Sequence, residues 1–182
     1  GSGDPFRAEQ KYMVENCEKL FQPVLDYIIN ETTINDNTII LFDRTEMGER
    51  LFTYLDLLKE RGAIDRTPLF IDGSIPVQER ERVRKHVENN SGCLLVGQSA
   101  ILSTGINIKN LSKLVLFVGG KSMARTIQSV GRILRLKEGK QAEVLDCVYS
   151  MKYSKRHATE RKRLYKEFYD MNKFTKVVEL SI

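Results

Sequence analysis

Short apolar runs alternate with segments of helical periodicity along most of this chain. Continuous apolar runs are typical of strands buried on both faces, as in a parallel sheet, and apolar residues spaced three or four apart are typical of helices. The predicted strands are 38–43, 68–72, 93–97, 113–118 and 142–149. A repeat of strand and helix predicts an α/β fold, in which a parallel sheet with right-handed crossovers carries helices on both faces.

Further segments extend this repeat at both ends. An apolar stripe predicts a helix over residues 6–30, and Pro23 is expected to kink or restart it. A basic helix and an alternating strand are predicted near the C-terminus. The chain is therefore divided into a cloning remnant (1–5), a helical lead-in without chemistry of its own (6–37), a sheet domain (38–150) and a basic helix–strand extension packed on that domain (151–182).

Local signals set the expected helix ends. Thr45 is expected to cap the helix that follows the first strand, and Gly62 is expected to end it. Pro76 suits an early position of a helix over 77–88. The arginines and the lysine of that helix are expected to face water mostly.

The basic excess of the chain lies in one segment. The formal net charge is +5, and residues 151–182 account for all of it, with 9 Lys and Arg against 4 Asp and Glu. A concentrated basic segment is typical of a protein that binds a polyanion, although a solvated helix face has the same composition. Aromatic residues in this segment could stack on bases or pack on the sheet. The candidate phosphate contacts here are Lys155, Arg156, Arg161, Lys162 and Arg163.

Composition excludes several classes of site. The 182 residues suit one domain, and no apolar run approaches the roughly 20 residues of a membrane span. Three widely spaced cysteines indicate reduced core residues of an intracellular, cytoplasmic protein. With only two histidines and no metal spacing among the cysteines, no metal site is predicted.

Residues 128–135 read Q-x-x-G-R-x-x-R and are predicted to lie on a helix that begins near Ser122. Helical spacing places Gln128, Arg132 and Arg135 on one face, and Gly131 permits close approach. One amide and two guanidinium groups on a single face suit a polyphosphate. The alternative is a solvated basic helix.

Candidate phosphate contacts also follow three predicted strands. Arg44 lies at the carboxyl end of the first strand, where open α/β sheets bind their ligands, unless it pairs with Asp43 or Glu46. Gly73 and Ser74 offer backbone N–H groups near a helix start. Further along, Ser103, Thr104 and Gly105 supply hydroxyl groups and an open backbone, although an ordinary turn has the same composition.

These stretches, in this order, resemble the motifs of the second motor domain of superfamily 2 helicases and translocases. Residues 38–44 resemble motif IV, 103–107 motif V and 128–135 motif VI, while 72–74 followed by Glu79-Arg80 resembles a further segment of that domain. The resemblance implies a RecA-like fold that is half of a nucleic-acid-dependent ATPase.

In such a motor Arg135 would be the arginine finger, Arg132 would support it, and Gln128 would contact the nucleotide or the attacking water. The resemblance also brings Gly105 and Asn107 to the nucleotide, although the family often has aspartate in place of Asn107. ATP and Mg²⁺ would be held mainly by an N-terminal RecA-like domain of the full-length chain. This chain lacks a Walker A spacing, so it is expected to be inactive alone.

Residues 103–111 and 128–135 narrow the resemblance to phage recombination DNA helicases. That group implies branched or forked DNA and R-loops as substrates, with roles in DNA recombination, repair and replication. Two alternatives remain open. The chain could be a non-catalytic RecA-like module that binds nucleic acid or protein, or the motor half of a restriction or remodelling translocase.

Overall fold

The computed structural model describes residues 3–103, 110–117, 143–149, 155–160, 163 and 175–180. Within these ranges, six strands form one sheet in the order β2-β3-β1-β4-β5-β6, and every neighbouring pair is parallel. The strands are β1 (Thr38–Phe42), β2 (Pro68–Ile71), β3 (Leu94–Gln98), β4 (Lys113–Leu116), β5 (Glu143–Tyr149) and β6 (Thr175–Leu180). The predicted parallel α/β sheet is confirmed.

Helices fill most of the described connections. They are α1 (Pro5–Glu15), α2 (Cys17–Glu31), α3 (Thr45–Glu60), α4 (Val77–Asn89) and α5 (Ser99–Ser103). Residues 155–160 are also helical, as predicted for the basic segment. In that helix His157 and Ala158 are buried, so one of its faces packs against the protein.

The two faces of the sheet bury separate apolar clusters. Alternate residues of β1 point to opposite sides, because side chains alternate along a strand. Ile40 and Phe42 pack with α2 and α3 on one face, while Ile39 and Leu41 pack with α4 and α5 on the other. Every residue of β1 is buried, which explains why its sequence is apolar from Ile39 to Phe42.

The helices change face where the direction of the chain reverses. The connection from β1 to β2 runs towards one edge, and its helix α3 lies on the first face. The connection from β2 back to β3 runs the other way, and α4 lies on the second face. A constant crossover hand requires this alternation, so the arrangement agrees with the predicted right-handed crossovers.

The N-terminal helical segment is interrupted at a different residue from the one expected. Asn16 leaves the helical conformation between α1 and α2, with φ −112° and ψ 18°, whereas Pro23 lies inside α2. The expectation that Pro23 restarts the helix is wrong, because α2 continues through this residue, whereas the expected kink stays a prediction. Phe21, Val24 and Ile28 are completely buried around it, and this packing opposes the roughly 3 kcal/mol that an internal proline costs a helix.

The start of α3 also differs from the expectation. Arg44 and not Thr45 occupies the position before α3, in an extended conformation, and no side chain caps this helix through a hydrogen bond. The predicted start of α4 at Val77, directly after Pro76, is confirmed. The predicted end of α3 is confirmed, because Gly62 has φ +74° and its N–H donates to the Lys59 carbonyl at 3.1 Å.

A buried amide fastens the amino edge of the sheet. Asn37 is 3% exposed. Its Nδ2 lies 3.0 Å from the Val87 carbonyl oxygen, 2.7 Å from that of Asn90 and 3.0 Å from that of Asn110. Its Oδ1 accepts from the Cys93 N–H at 2.9 Å. Asn37 thus joins β1 to the end of α4 and to the approaches of β3 and β4.

Candidate functional site at the carboxyl edge of the sheet

Three of the loops that carry predicted phosphate contacts leave the same edge of the sheet. The register pairs Phe42 with Gln98 and Ile71 with Gly97, so β1, β2 and β3 end side by side. The segments that follow them are 43–44, 72–74 and 99–103. Because parallel α/β sheets bind ligands beyond the carboxyl ends of their strands, this edge is the candidate functional site.

Gln98 and Ser99 connect two of these loops. The Gly73 N–H donates to Gln98 Oε1 at 3.0 Å, and Gln98 Nε2 donates to the Asp43 carbonyl oxygen at 3.5 Å. Ser99 Oγ donates to Asp43 Oδ1 at 2.6 Å. We call these four residues, Asp43, Gly73, Gln98 and Ser99, the loop bridge. It holds the loop after β1 and the loop after β2 against the end of β3.

The turn after β2 is ordered by its own side chains. Asp72 accepts hydrogen bonds from both the N–H and the hydroxyl group of Ser74. Arg80 donates from Nε to the Ile75 carbonyl oxygen at 3.0 Å and from Nη2 to that of Gly73 at 3.3 Å. The N–H groups of Gly73 and Ser74 therefore already donate within the protein. The phosphate contact predicted for them requires a ligand oxygen to replace Gln98 or Asp72.

Arg44 lies at the carboxyl edge, as the sequence predicted. It is exposed and occupies the position before α3, with φ −93° and ψ 125°. Its neighbour Asp43 is held by Ser99 through the loop bridge. A cationic side chain is thus presented beside an ordered loop, which is an arrangement that suits a phosphate.

The charged surface of α4 is neutralised within the helix. Arg82 forms an ion pair with Glu79 at 3.1 Å, and Arg84 pairs with Glu81 at 2.7 Å and Glu88 at 2.9 Å. The hydrogen bond from Arg84 lowers the pKa of Glu81. Because these cations are matched by carboxylates one turn away, α4 does not offer a concentrated positive surface.

Basic residues of the C-terminal extension are exposed in the part that the structure describes. Lys155, Arg156 and Arg163 are exposed and helical, whereas Arg161 and Lys162 lie outside the described residues. Beyond this helix, β6 pairs with β5 in parallel. The extension therefore adds a strand to the sheet and presents cations from the segment that leads to it.

The predicted nucleotide contacts and one predicted nucleic-acid contact, Thr104, lie outside the described residues. The nucleotide contacts are Gly105, Asn107, Gln128, Arg132 and Arg135. The elements before them are described: α5 ends at Ser103, and β4 reaches Leu116 beside Leu41 of β1. The segments that contain these residues therefore begin from the same side of the sheet as the loop bridge.

Other classes of site receive no support from the described residues. In those ranges no group of three or more His, Cys, Asp or Glu is placed to hold a metal ion, and none of the helices there has the length and apolar character of a membrane span. Cys93 and Cys147 are free and buried, as predicted, and burial raises the pKa of the Cys93 thiol. The side chain of Cys17 lies outside the description.

Sequence reasoning missed Gln98 and Ser99 as members of the site. The signal was present, because two polar residues directly follow the apolar run 93–97 and so stand where the strand leaves the sheet. Their partners lie 25 and 55 or more residues away, so no local pattern indicates the bonds they form.

The fold and the site define this chain as the second RecA-like domain of a superfamily 2 helicase. Residues 19–137 match the family described as the helicase conserved C-terminal domain. The chain therefore belongs to that family, and the match covers motifs IV to VI as the sequence placed them.

Phage helicases are among its relatives. The chain is 29% identical over 130 residues to the ATP-dependent DNA helicase uvsW of Enterobacteria phage T4, which covers 71% of this chain and 25% of the relative. It is 28% identical over 131 residues to the probable helicase D10 of Escherichia phage T5, covering 70% of this chain and 27% of the relative. The chain thus spans about a quarter of the curated relatives it matches.

Solved structures show the same fold. T4 UvsW superposes with a TM-score of 0.69 at 21% identity, over 99% of this chain and 38% of that one. The C-terminal domain of the DEAD-box protein Dbp5 superposes with a TM-score of 0.62 at 20% identity, over 90% of this chain and 84% of that one. The predicted RecA-like fold and the predicted resemblance to phage DNA helicases are confirmed.

Proposed function

We propose that this chain is the C-terminal motor half of an ATP-dependent DNA helicase. The observation that carries the proposal is the carboxyl edge, where the loops after β1, β2 and β3 lie together and where the segment after β4 begins. Described residues from the first two of the resembled motif segments, 43–44 and 72–74, lie there beside α5, which leads to the third. The family membership of residues 19–137 supports the same reading, as do the named activities of its phage relatives.

The nucleotide would lie between this domain and an N-terminal RecA-like domain of the full-length protein. The residues proposed to meet it fit a triphosphate by their chemistry, because Arg132 and Arg135 are permanent cations with forked donors and Gln128 adds an amide. Hydrolysis of ATP bound with Mg²⁺ would supply the free energy for movement. In our proposal Arg135 stabilises the charge that develops on the transferred phosphoryl group, and Arg132 supports it.

Gly105 and Asn107 are proposed to contact the nucleotide from the segment after α5. Gly105 leaves the backbone open to close approach, and the Asn107 amide retains an acceptor oxygen. Because this segment follows α5, whose first residue Ser99 belongs to the loop bridge, a change at the nucleotide would be transmitted to the loop bridge. The proposal thus places hydrolysis and nucleic-acid contact on neighbouring segments of one sheet edge.

The DNA strand is proposed to cross the carboxyl edge. Arg44, the turn at Gly73 and Ser74, and the hydroxyl groups of Ser103 and Thr104 would contact its phosphates. Exposed cations on 155–163 would extend the contact, since half to two-thirds of protein–DNA hydrogen bonds go to phosphate and sugar. The relationship to uvsW, named as a DNA helicase, supports DNA as the nucleic acid. We further propose branched or forked DNA and R-loops as the substrates, with roles in recombination, repair and replication.

Salt-dependent binding tests the DNA contact. The affinity of the chain for forked DNA is measured from about 50 to 200 mM salt, because each phosphate contact contributes about 0.9 to the slope of log K against log salt. In the tail variant, five cations are changed to glutamine: Lys155, Arg156, Arg161, Lys162 and Arg163. In the matched control, the same change is made at five exposed cations elsewhere: Arg7, Lys11, Lys19, Arg61 and Arg82.

The proposal predicts steep salt dependence for the unaltered chain, with a slope reduced by up to about 4.5 in the tail variant. The control has the same net charge as the tail variant but keeps the tail cations. It should therefore retain nearly the full slope. Equal slopes in the two variants would show that the tail is a solvated helix face and does not contact phosphates. Stronger binding to unstructured single-stranded RNA than to forked DNA would contradict the proposed substrate.

A further inference from the structure

The side chain of Gln98 joins two loops that the proposed function assigns to nucleic acid. Its Oε1 accepts the Gly73 N–H at 3.0 Å, and its Nε2 donates to the Asp43 carbonyl oxygen at 3.5 Å. Gln98 is the last residue of β3, and β3 lies between β1 and β2 in the sheet. It therefore stands between the two loops and bonds to both.

Ser99 reinforces the same connection from the next position. It is 4% exposed, and its Oγ donates to Asp43 Oδ1 at 2.6 Å. Ser99 is also the first residue of α5, which ends at Ser103. The loop bridge thus fixes the loop that bears Arg44 relative to the start of the helix that leads to the predicted motif V.

The bonds around Gly73 fall into two groups. Asp72 and Arg80 hold the internal shape of the turn, because their bonds stay within the turn and α4. The Gln98 bond instead ties the turn to a neighbouring strand. Gly73 has no side chain, and Gln98 Oε1 is the atom nearest to where its Cβ would lie, at 3.4 Å. The position of the turn relative to β3 therefore depends on this backbone hydrogen bond.

We propose that Gln98 is a positioning residue for nucleic-acid binding. It holds the Arg44 loop and the turn at Gly73 and Ser74 at one separation. Arg44 and the Ser74 N–H can then meet phosphates of the same strand, once a phosphate oxygen replaces Asp72 at Ser74, while the bond from Gly73 to Gln98 stays in place. The inference rests on the proposed function. Gln98 carries no charge, so it contributes to affinity through the placement of other groups and adds no phosphate neutralisation of its own.

Loss of a positioning residue should change the affinity for DNA without changing how that affinity depends on salt. A lost positioning bond requires the loops to be ordered on binding, which lowers affinity at every salt concentration. The number of neutralised phosphates stays the same, so the salt slope is unchanged. Loss of a cation that contacts phosphate lowers the slope by about 1.

The test measures the binding of forked DNA by the 182-residue chain and by three variants, from about 50 to 200 mM salt. Gln98→Met keeps the length of the side chain and removes both bonds. Gln22→Met is the matched control, because Gln22 is exposed on α2 and bonds to Asp26 one turn away. Arg44→Gln is the reference for loss of a phosphate contact. Thermal unfolding and the Gly73 amide resonance are recorded for each protein.

We expect Gln98→Met to raise the Kd about 3- to 10-fold, the equivalent of one hydrogen bond, with an unchanged slope and a displaced Gly73 amide resonance. Gln22→Met should match the unaltered chain, and Arg44→Gln should have the lower slope. Ser99→Ala removes the bond from Ser99 to the Asp43 carboxylate in the same bridge and is expected to reproduce the loss of affinity at an unchanged slope, so it serves if Gln98→Met unfolds.

Affinity within about twofold of the unaltered chain for both bridge variants overturns the inference and leaves the proposed function standing. A slope reduced as in Arg44→Gln also overturns it, because phosphate contacts are then lost and not misplaced. Absence of DNA binding by the unaltered chain overturns the proposed function and this inference with it.

Discussion

Replacement of Asn37 by alanine is expected to destabilise the whole domain, although the residue lies at the edge of the sheet away from the proposed site. Its amide lies within hydrogen-bonding distance of three carbonyl oxygens and accepts one N–H. Two of those carbonyls, of Val87 and Asn90, also accept from Asn110 Nδ2, each at 3.2 Å. In the alanine variant, the Cys93 N–H and the Asn110 carbonyl oxygen would each lose the Asn37 side chain as their hydrogen-bond partner.

Each buried polar group left without a partner costs about 1–3 kcal/mol, so the two together predict a loss of about 2–6 kcal/mol. Urea unfolding followed by circular dichroism measures this free energy. Asn35→Ala is the control, because Asn35 is exposed in the preceding turn, and it is expected to change stability by less than about 0.5 kcal/mol. A loss below about 1 kcal/mol for Asn37→Ala would refute the reasoning, since the orphaned groups would then have found other partners.

Two further predictions concern stability. Gly48→Ala should destabilise the domain by about 1–3 kcal/mol in urea unfolding, because the new methyl group overlaps the buried Phe42 ring. Gly3→Ala is the control and should be neutral, because no atom lies within 4 Å of its added methyl group. Equal stabilities of the two variants would contradict this packing. Burial, and then the hydrogen bond to Glu143, raise the pKa of Tyr27, so the unfolded chain ionises first and stability should fall above about pH 10 by up to about 1.4 kcal/mol per pH unit. Unfolding measured at rising pH should show a shallower fall for Tyr27→Phe, and identical slopes would contradict the shifted pKa.

The sequence predicted the strands well because their signal is local. Each run of buried apolar residues matches an observed strand to within one or two residues at either end, and Gly62 ends α3 because only a left-handed conformation closes that turn. The helix break was misplaced, because the burial of Phe21 and Val24 around Pro23 is a tertiary effect that propensity does not include.

The order of the strands in the sheet and the contacts of the loop bridge could not be predicted from local sequence patterns. The adjacency of β1 and β3, which are separated by β2 in the chain, depends on how the crossovers pack. The alternating strand at the C-terminus was predicted, but its pairing with β5 was not. Gln98 joins Asp43 and Gly73 only because three strands end together. The predicted arginine finger and its partners remain predictions, because residues 118–142 lie outside the description.

The measurement that tests the central claim most directly is ATP hydrolysis by the full-length protein that contains this chain, with and without Arg135→Ala. We predict DNA-stimulated turnover that falls by about 10³- to 10⁵-fold in the variant, while forked-DNA affinity is retained and the 182-residue chain alone shows negligible turnover. Unchanged turnover in the variant would contradict the role of Arg135. Robust hydrolysis by the isolated chain that Arg135→Ala abolishes would contradict the assignment of this chain as half of a motor.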